Sequence, residues 1–313
     1  MTFQYYLEYL SMTTVLLIHG INNQDNSNEN IEKTWSDALR SGAATAGLTI
    51  PDDVKFIAAF YGDILFEETE SWKKNKPASS PMSVESPDED YANDEVAALY
   101  LEFQKKYGIS DEQVSQELDD KDNFQAQQRM AKGIHKSWLK AIARALEKVL
   151  PSKGKTVARA FISQAAAYLH KPSLKEKIDD LVMTQIIDGL PKDEKVVIIS
   201  HSLGTIVAYD LMRRLRHQVK VKLLLTAGSP LGIEIVKRRL GGPPLICLPN
   251  VERWVNVSDS EDFVALETRL TGKTFGCDKI TNIDQLDNGD EDAHDILKYL
   301  AHDVVAKEIV LNL

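Results

Sequence analysis

One serine of this 313-residue chain stands where it could act as a nucleophile. The apolar run Val196–Ile199 leads into Ser200, Ser202 and Gly204, and a helical pattern follows at once. A serine on a tight strand-to-helix turn is held above the sheet, next to the positive end of the following helix. Such a turn requires small residues two positions before and after the serine, as Ser200 and Gly204 are. The pattern predicts that Ser202 attacks a carbonyl carbon.

A second short sequence could supply backbone donors to the same reaction. The apolar run Val15–Ile18 ends in His19 and Gly20. Glycine permits a turn that aims backbone N–H groups toward the serine, and such donors stabilise the negative oxygen that forms during acyl transfer. A histidine at a strand end is usually structural, so His19 gains meaning only from its pairing with Ser202.

The two motifs together resemble those of the α/β-hydrolase superfamily, in particular its lipase- and esterase-like members. The resemblance covers about residues 13–60 and 175–311. It implies a Ser-His-Asp triad whose members follow along the chain in the order serine, acid, histidine. It also implies an oxyanion hole formed by the backbone N–H groups of Ile21 and Leu203.

The resemblance places the acid after a later strand and the histidine before the last helix. The run Trp254–Val257 is followed by Asp259, Glu261 and Asp262. Asp262 precedes an apolar pair, as the acid of lipase-like members often does, and it is the first choice. Asp259 is the reserve acid, and would otherwise cap the loop or hold Asp262 in place. His294 stands in the loop before the final helical pattern and is the expected base.

The remaining histidines near these motifs are expected to have structural roles. His201 adjoins the nucleophile, but neighbouring residues on so tight a turn point apart, so it should pack or line the substrate pocket. His302 falls inside the final helical pattern and should face solvent or pack. In the expected reaction, His294 takes the proton from Ser202 while Asp262 fixes the imidazole tautomer. No metal or organic cofactor is needed.

The hydrophobic pattern predicts an α/β protein. Buried parallel strands read as short continuous apolar runs, and helical patterns alternate with them, which indicates a mainly parallel sheet covered by helices on both faces. The predicted strands are Val15–Ile18, Val54–Phe60, Val196–Ile199, Val221–Leu225, Trp254–Val257 and, more weakly, Lys279–Ile283. The predicted helices are Ile31–Ala46, Asp94–Tyr107, Phe124–Leu150, Val157–His170, Leu174–Asp188, Ile206–Arg216 and Ile296–Leu311.

An interval of about 130 residues without a convincing strand interrupts this alternation. We predict a core formed by residues 1–62 and 175–313, and a helical cap inserted at residues 63–174, with a mobile acidic linker near 73–95. Acids predominate in the first half of the cap and bases in the second. Either two solvated helical faces attract each other, or the basic helix faces an anionic membrane or a phosphorylated head group. The bases of that helix are Lys132, Lys136, Lys140, Arg144 and Lys148.

Composition and the remaining motifs exclude several classes of function. The formal net charge of −10 argues against a nucleic-acid partner. Glycine motifs for nucleotides are absent from the sequence, and the acidic run 284–292 fits a plain turn better than a calcium loop, so neither cofactor nor metal is expected. No membrane span or signal peptide is predicted, and Met12 could be an alternative start that makes the first eleven residues dispensable. Cys247 and Cys277 are therefore expected to be reduced thiols in a cytoplasmic protein.

The sequence thus favours a serine hydrolase of carboxylic esters, of the lipase, phospholipase or esterase kind, acting on a small-molecule or lipid ester. A thioesterase, amidase or acyltransferase would use the same triad. An interaction module with the same fold and no catalytic activity is the alternative from another class. Such a module has no need to keep all three triad residues.

Overall fold

The computed structural model describes residues 13–74, 94–118, 136–187, 190, 195–289 and 292–313. Its centre is a six-stranded sheet in which all neighbouring strands pair in parallel, in the order β2-β1-β3-β4-β5-β6. The strands are β1 (Thr14–Ile18), β2 (Lys55–Ala59), β3 (Lys195–His201), β4 (Lys220–Ala227), β5 (Val251–Asp259) and β6 (Ile280–Leu286). All six predicted strands are confirmed, and β3, β4, β5 and β6 continue beyond their predicted ends.

The helices of the described residues are α1 (Asn28–Thr45), α2 (Gly62–Lys74), α3 (Asp94–Lys106), α4 (Asp111–Ser115), α5 (Lys136–Val149), α6 (Ser152–His170), α7 (Pro172–Ile187), α8 (Leu203–Arg214), α9 (Glu234–Arg239), α10 (Ile296–Ala301) and α11 (Asp303–Val310). The predicted last helix is in fact two helices, because extended backbone at His302 interrupts it. None of the helices in the described ranges is long and apolar enough to cross a lipid bilayer.

Helices cover both faces of the sheet. Successive side chains of a strand point to opposite faces, so Val15 and Leu17 enter one core while Leu16 and Ile18 enter the other. The first core also holds buried side chains of α1, α10 and α11, and the second holds those of α7 and α8. The expected α/β class with a mainly parallel sheet is therefore confirmed.

The helices between β2 and β3 extend the second of these cores. Tyr61, Leu65, Phe103 and Phe161 belong to the same buried apolar cluster as Leu16 of β1. Burial of this kind stabilises a fold by about 25 cal/mol per Å² of apolar surface removed from water. The described helices between β2 and β3 thus share a core with one face of the sheet.

The predicted linker and basic helix of the insertion are only partly described. Residues 75–93 lie outside the described residues, and the two ends of the expected linker are helical, in α2 and α3. The predicted helix Phe124–Leu150 is described from Lys136 onward, as α5. Arg144 of α5 donates to the Glu117 carbonyl oxygen at 2.7 Å, and Lys148 pairs with the Glu117 carboxylate. Such contacts between basic and acidic stretches are what two attracting faces require, and membrane contact stays a prediction.

The expectation of reduced thiols is wrong, because Cys247 and Cys277 form a disulfide with their Cα atoms 5.0 Å apart. They lie on the loops that precede β5 and β6. These loops are aligned by their backbones, since the Leu245 N–H donates to the Phe275 carbonyl oxygen at 3.0 Å. A separation of thirty residues in sequence gives no sign of this contact. The cytoplasmic location, which the sequence suggests through the lack of a predicted signal peptide, stays a prediction.

Candidate active site

The two sequence motifs meet at the carboxyl ends of neighbouring strands. The chain passes from β1 outward to β2 and then returns to the other side of β1 with β3, so the winding reverses between β1 and β3. In open parallel sheets, ligands bind beyond the strand ends at such a reversal. Here Gly20 follows β1 and Ser202 follows β3, and a Cβ added to Gly20 would lie 2.5 Å from the Ser202 Cβ.

Ser202 occupies the turn between β3 and α8 with a φ of 53° and a ψ of −128°. A positive φ costs a residue with a Cβ about 1–2 kcal/mol, so neighbouring bonds must hold the turn. The Ser202 N–H donates to the Ala227 carbonyl oxygen of β4, and the Thr205 N–H donates to the Ser202 carbonyl oxygen, both at 3.0 Å. The Ser202 side chain is buried, and its Oγ has no hydrogen-bond partner among the described residues.

The small residues on either side of Ser202 have different structural reasons. A Cβ added to Gly204 would lie 2.3 Å from the carbonyl oxygens of Ile18 and His19, so only glycine lets α8 begin directly against β1. Ser200 is buried, and its hydroxyl donates to the Leu225 carbonyl oxygen at 2.9 Å. The pattern around such a serine usually has glycine two positions before it. Here this bond provides the Ser200 hydroxyl with a hydrogen-bond partner.

His19 is a buried anchor of the loop that follows β1. Its Nδ1 donates to the Gly20 carbonyl oxygen at 2.7 Å, and its Nε2 accepts from the Tyr61 N–H at 3.0 Å. Tyr61 also stacks on the imidazole ring and donates its hydroxyl to the His19 carbonyl oxygen. Burial lowers the pKa of His19 to about 4, although the Gly20 hydrogen bond acts in the opposite direction. His19 is therefore neutral, both of its ring nitrogens are hydrogen-bonded, and it holds the loop in place.

The loop after Gly20 is fixed by side chains from two directions. The Asn23 side-chain amide donates to the carbonyl oxygens of Gly20 and Ile21, at 3.3 and 2.9 Å. Asn22 adopts a positive φ of 57°, and its N–H donates to the Gln164 side-chain oxygen of α6 at 3.3 Å. A helix from the stretch between β2 and β3 thus takes part in shaping the loop after β1.

Two backbone donors remain free at the ends of β1 and β3. Within the described residues, neither the Ile21 N–H nor the Leu203 N–H makes a hydrogen bond. Leu203 is the first residue of α8, where N–H groups have no partner inside the helix. These are the two donors that the sequence assigns to an oxyanion hole.

His294 and Asp262 are in direct contact. The Nδ1 atom of His294 lies 2.8 Å from each carboxylate oxygen of Asp262. The carboxylate also accepts from the Val264 N–H and from the Tyr299 hydroxyl, both at 2.8 Å. Burial alone would raise the pKa of Asp262, but the charge and hydrogen bond of His294, helped by those two donors, lower it below its ordinary value. An ionised Asp262 therefore keeps the imidazole proton on Nδ1.

The Nε2 atom of His294 is then an acceptor. It is buried and, like Ser202 Oγ, has no hydrogen-bond partner in the part of the chain that the structure describes. Ser202 and His294 both lie beside the end of β4, because the Ser202 N–H donates to Ala227 while a Cβ on Gly228 would lie 3.0 Å from His294 Nδ1. Ser202 Oγ and His294 Nε2 form no hydrogen bond with each other. Buried polar atoms are nearly always paired, so each of these two atoms needs an explanation. A hydroxyl and a basic nitrogen are the two groups that an activated serine nucleophile requires.

Asp259, the reserve acid, does not contact His294. Its carboxylate oxygens accept from the N–H groups of Glu261 and Asn288, at 2.7 and 2.5 Å. Its own N–H donates to the Tyr299 hydroxyl oxygen at 3.0 Å. Asp259 thus shapes the loop that carries Asp262, which is the other role the sequence allows it.

Sequence reasoning missed two residues that contact the His294–Asp262 pair. Tyr299 of α10 bridges the two aspartates, but a tyrosine in an amphipathic helix ordinarily belongs to a core and gives no signal. His201 packs, as expected, but its partner is specific: its Nε2 donates to the His294 carbonyl oxygen at 2.8 Å. Its place next to Ser202 was the available signal. Only the fold shows that it meets His294.

Helix α6, which lies between β2 and β3 in the chain, contacts two segments of this site. A Cβ added to Gly154, near its start, would lie 2.8 Å from the Phe263 ring, which directly follows the acid. Further along the helix, Gln164 binds the loop after β1. Ser202 is 0% exposed and His294 is 5% exposed. The arrangement is therefore shielded from bulk water, which strengthens electrostatic interactions within it.

Within the described residues, no group of three or more His, Cys, Asp or Glu side chains could hold a metal ion. Comparison of the chain with protein-family models, with curated proteins and with solved structures finds no match. The function must therefore be argued from the geometry of the site.

Proposed function

We propose that this protein is a serine hydrolase that cleaves carboxylic esters, with an α/β-hydrolase core and a helical cap. The observation that carries the proposal is a pair of buried groups without partners among the described residues: the Ser202 hydroxyl and the Nε2 of His294, whose Nδ1 is bound to Asp262. The order serine, acid, histidine along the chain supports the same family. So does a parallel sheet with helices on both faces.

In the proposed reaction, Ser202 Oγ bonds to the ester carbonyl carbon as its proton passes to His294 Nε2. The carbonyl oxygen becomes an anion that accepts from the Ile21 and Leu203 N–H groups, each worth about 3 kcal/mol of the barrier. The bond from carbon to the alcohol oxygen then breaks, and the imidazolium returns its proton to the leaving alcohol. Asp262 stabilises the imidazolium without taking its proton.

Water completes the proposed cycle. His294 removes a proton from water as the oxygen attacks the acyl-enzyme carbonyl carbon, again through an oxyanion. The bond to Ser202 Oγ breaks, the carboxylic acid leaves, and Oγ regains a proton from His294. The sum is ester plus water giving acid plus alcohol, with no other co-reactant.

Labelling by a fluorophosphonate, read by intact mass, tests the nucleophile. We expect a single adduct on the wild type and none on Ser202→Ala or His294→Ala. Ser200→Ala is the matched control, because it removes a hydroxyl two residues away that is already bonded to Leu225. This control should be labelled like the wild type. An unlabelled wild type with a cooperative unfolding transition would favour a non-catalytic module, and labelling that survives in Ser202→Ala would exclude this serine.

Matched substrates that share one acyl group test the bond that is cleaved. We expect the ester to be hydrolysed faster than the thioester and the amide. A preference for the thioester or amide, or transfer to an added alcohol in place of hydrolysis, would keep the triad and overturn the ester assignment. A cap lines the pocket and limits which acyl chains can bind. The hydrolysis rates of esters with acyl chains of increasing length therefore define the substrate class.

A further inference from the structure

We infer that His201 is a positioning residue that holds the backbone of His294 in place for proton transfer, an assignment that rests on the proposed function. The contact is a hydrogen bond of 2.8 Å between His201 Nε2 and the His294 carbonyl oxygen. A carbonyl oxygen can only accept, so Nε2 of His201 carries the proton and donates. His201 stands directly before the nucleophile in the chain. One bond thus joins the strand end that carries Ser202 to the loop that carries the base.

The surroundings of His201 make this bond rigid. Its ring centroid lies 4.5 Å from that of His294, and the Trp35 and Tyr299 rings lie 6.5 and 6.4 Å away. The side chain is 8% exposed, so water cannot easily replace either partner of the bond. A buried bond that loses its donor leaves the carbonyl oxygen unpaired.

His201 is also a suitable donor because it is neutral. Burial, followed by the nearby His294, lowers the pKa of His201 well below its ordinary value. An imidazolium must form on His294 during the proposed reaction. A cationic donor beside it would oppose that charge, whereas neutral His201 supplies the hydrogen bond alone.

His201 and Asp262 therefore have separate tasks. Asp262 acts on the His294 ring, where it selects the tautomer and stabilises the charged form. His201 acts on the His294 main chain, where it sets the distance between the ring and the turn at Ser202. Loss of the His201 bond should therefore slow the chemical step and leave ground-state binding of substrate little changed.

Two polar variants of His201 give the sharpest test. His201→Gln places an amide donor where Nε2 lies, while His201→Asn is similar in polarity but too short to reach the carbonyl oxygen. We expect the fluorophosphonate labelling rate and kcat for 4-nitrophenyl acetate to fall about 10- to 100-fold in His201→Asn, with KM within about twofold. His201→Gln should recover most of the loss. Thermal unfolding of both variants verifies that they are folded.

A second measurement separates failure of this inference from failure of the proposed function. In protein with ¹⁵N-labelled histidine, NMR detects the proton that His294 Nδ1 donates to Asp262, whether or not the protein is a hydrolase. We expect this signal to persist in His201→Gln and to broaden or disappear in His201→Asn. Equal labelling rates and equal spectra for the two variants would overturn the positioning role. If the fluorophosphonate does not react with the wild type but the two variants show the expected spectral difference, only the proposed hydrolase function is overturned.

Discussion

Two unfavourable features coincide at Ser202. Its positive φ costs about 1–2 kcal/mol, and a hydroxyl buried without a partner costs about 1–3 kcal/mol. Glycine would relieve the first cost and alanine the second, so folding alone does not favour serine at this position. Strain of this kind persists at functional sites when the surrounding structure enforces it. Here the bond to Ala227 and the contact with Gly20 do so.

Replacement of Ser202 by alanine should therefore stabilise the protein while abolishing labelling. We expect Ser202→Ala to raise the free energy of unfolding by about 1 kcal/mol, because it removes the unpaired hydroxyl and leaves the backbone unchanged. Ser200→Ala should lower it by about 1 kcal/mol, since it removes a hydroxyl that is bonded to Leu225. Urea unfolding measures both. Destabilisation by Ser202→Ala of the same size as by Ser200→Ala would contradict the view that Oγ is unpaired.

The two candidate acids can be separated by one pair of variants. Asp262→Asn removes the carboxylate that holds the proton on His294 Nδ1, and should lower the labelling rate by about 10⁴-fold. Asp259→Asn disturbs the N–H groups of Glu261 and Asn288 instead, and should lower stability with less than about tenfold loss of labelling. The measurement is the second-order labelling rate beside a urea titration. A larger loss of rate in Asp259→Asn would reverse the assignment.

At the scale of helices and strands, the sequence predicts best where one residue type serves one local need. β1 and β3 are continuous apolar runs because both of their faces are buried, and this pattern needs no knowledge of the rest of the fold. The roles of Gly20 and Gly204 can be predicted for a similar reason, because a tight turn excludes larger residues at these positions.

Contacts between distant elements could not be predicted in this way. His201 and His294 are 93 residues apart, and no local pattern relates them. The disulfide depends on two loops that the order of β4, β5 and β6 brings together. Residues 75–93 of the expected linker lie outside the described residues, so the linker stays a prediction.

Helix α6 should act on the site through one hydrogen bond to the core. Gln164→Met keeps the side-chain length but leaves the Asn22 N–H unpaired, so the loop with the Ile21 donor loses a restraint. We expect about a tenfold lower labelling rate and about 1–2 kcal/mol lower stability. Ser163→Ala is the neighbouring control, because that hydroxyl bonds only within the helix, to the Ala160 carbonyl oxygen. Similar labelling rates for the two variants would show that α6 has no influence on the loop.

For the whole molecule, the disulfide between Cys247 and Cys277 should contribute directly to stability. In the chain-entropy model, a closed loop of thirty residues stabilises a fold by about 3–4 kcal/mol. Dithiothreitol should therefore shift the urea midpoint of the wild type to lower concentration, and should leave Cys247→Ser/Cys277→Ser unchanged. Intact mass under non-reducing conditions, with and without thiol alkylation, verifies the bond. Two alkylated cysteines in the untreated folded protein would show that the thiols are reduced.

Stability of the whole molecule should fall between about pH 6.5 and pH 4, because His19 is buried in its neutral form. Its pKa is about 4 when folded, against an ordinary value of 6.5. Between these values the unfolded chain binds the proton and the folded chain does not, so acid favours unfolding. At pH 4 this proton binding lowers the free energy of unfolding by about 3 kcal/mol relative to neutral pH. The lowered pKa of His201 acts in the same direction, whereas that of Asp262 acts only at lower pH, where its carboxylate becomes protonated.

His19→Gln isolates this contribution, because glutamine can donate and accept like the neutral imidazole but does not titrate. The free energy of unfolding should therefore depend less steeply on pH in the variant than in the wild type, by about 1.4 kcal/mol per pH unit between pH 6 and 4.5. Urea titrations at several pH values give both slopes, whatever the absolute stability of the variant. Parallel slopes would mean that His19 binds its proton at the same pH in the folded and the unfolded protein, and so is largely protonated below pH 6. In that case its Nε2 could not accept the Tyr61 N–H, and the loop beside Ser202 would need another anchor.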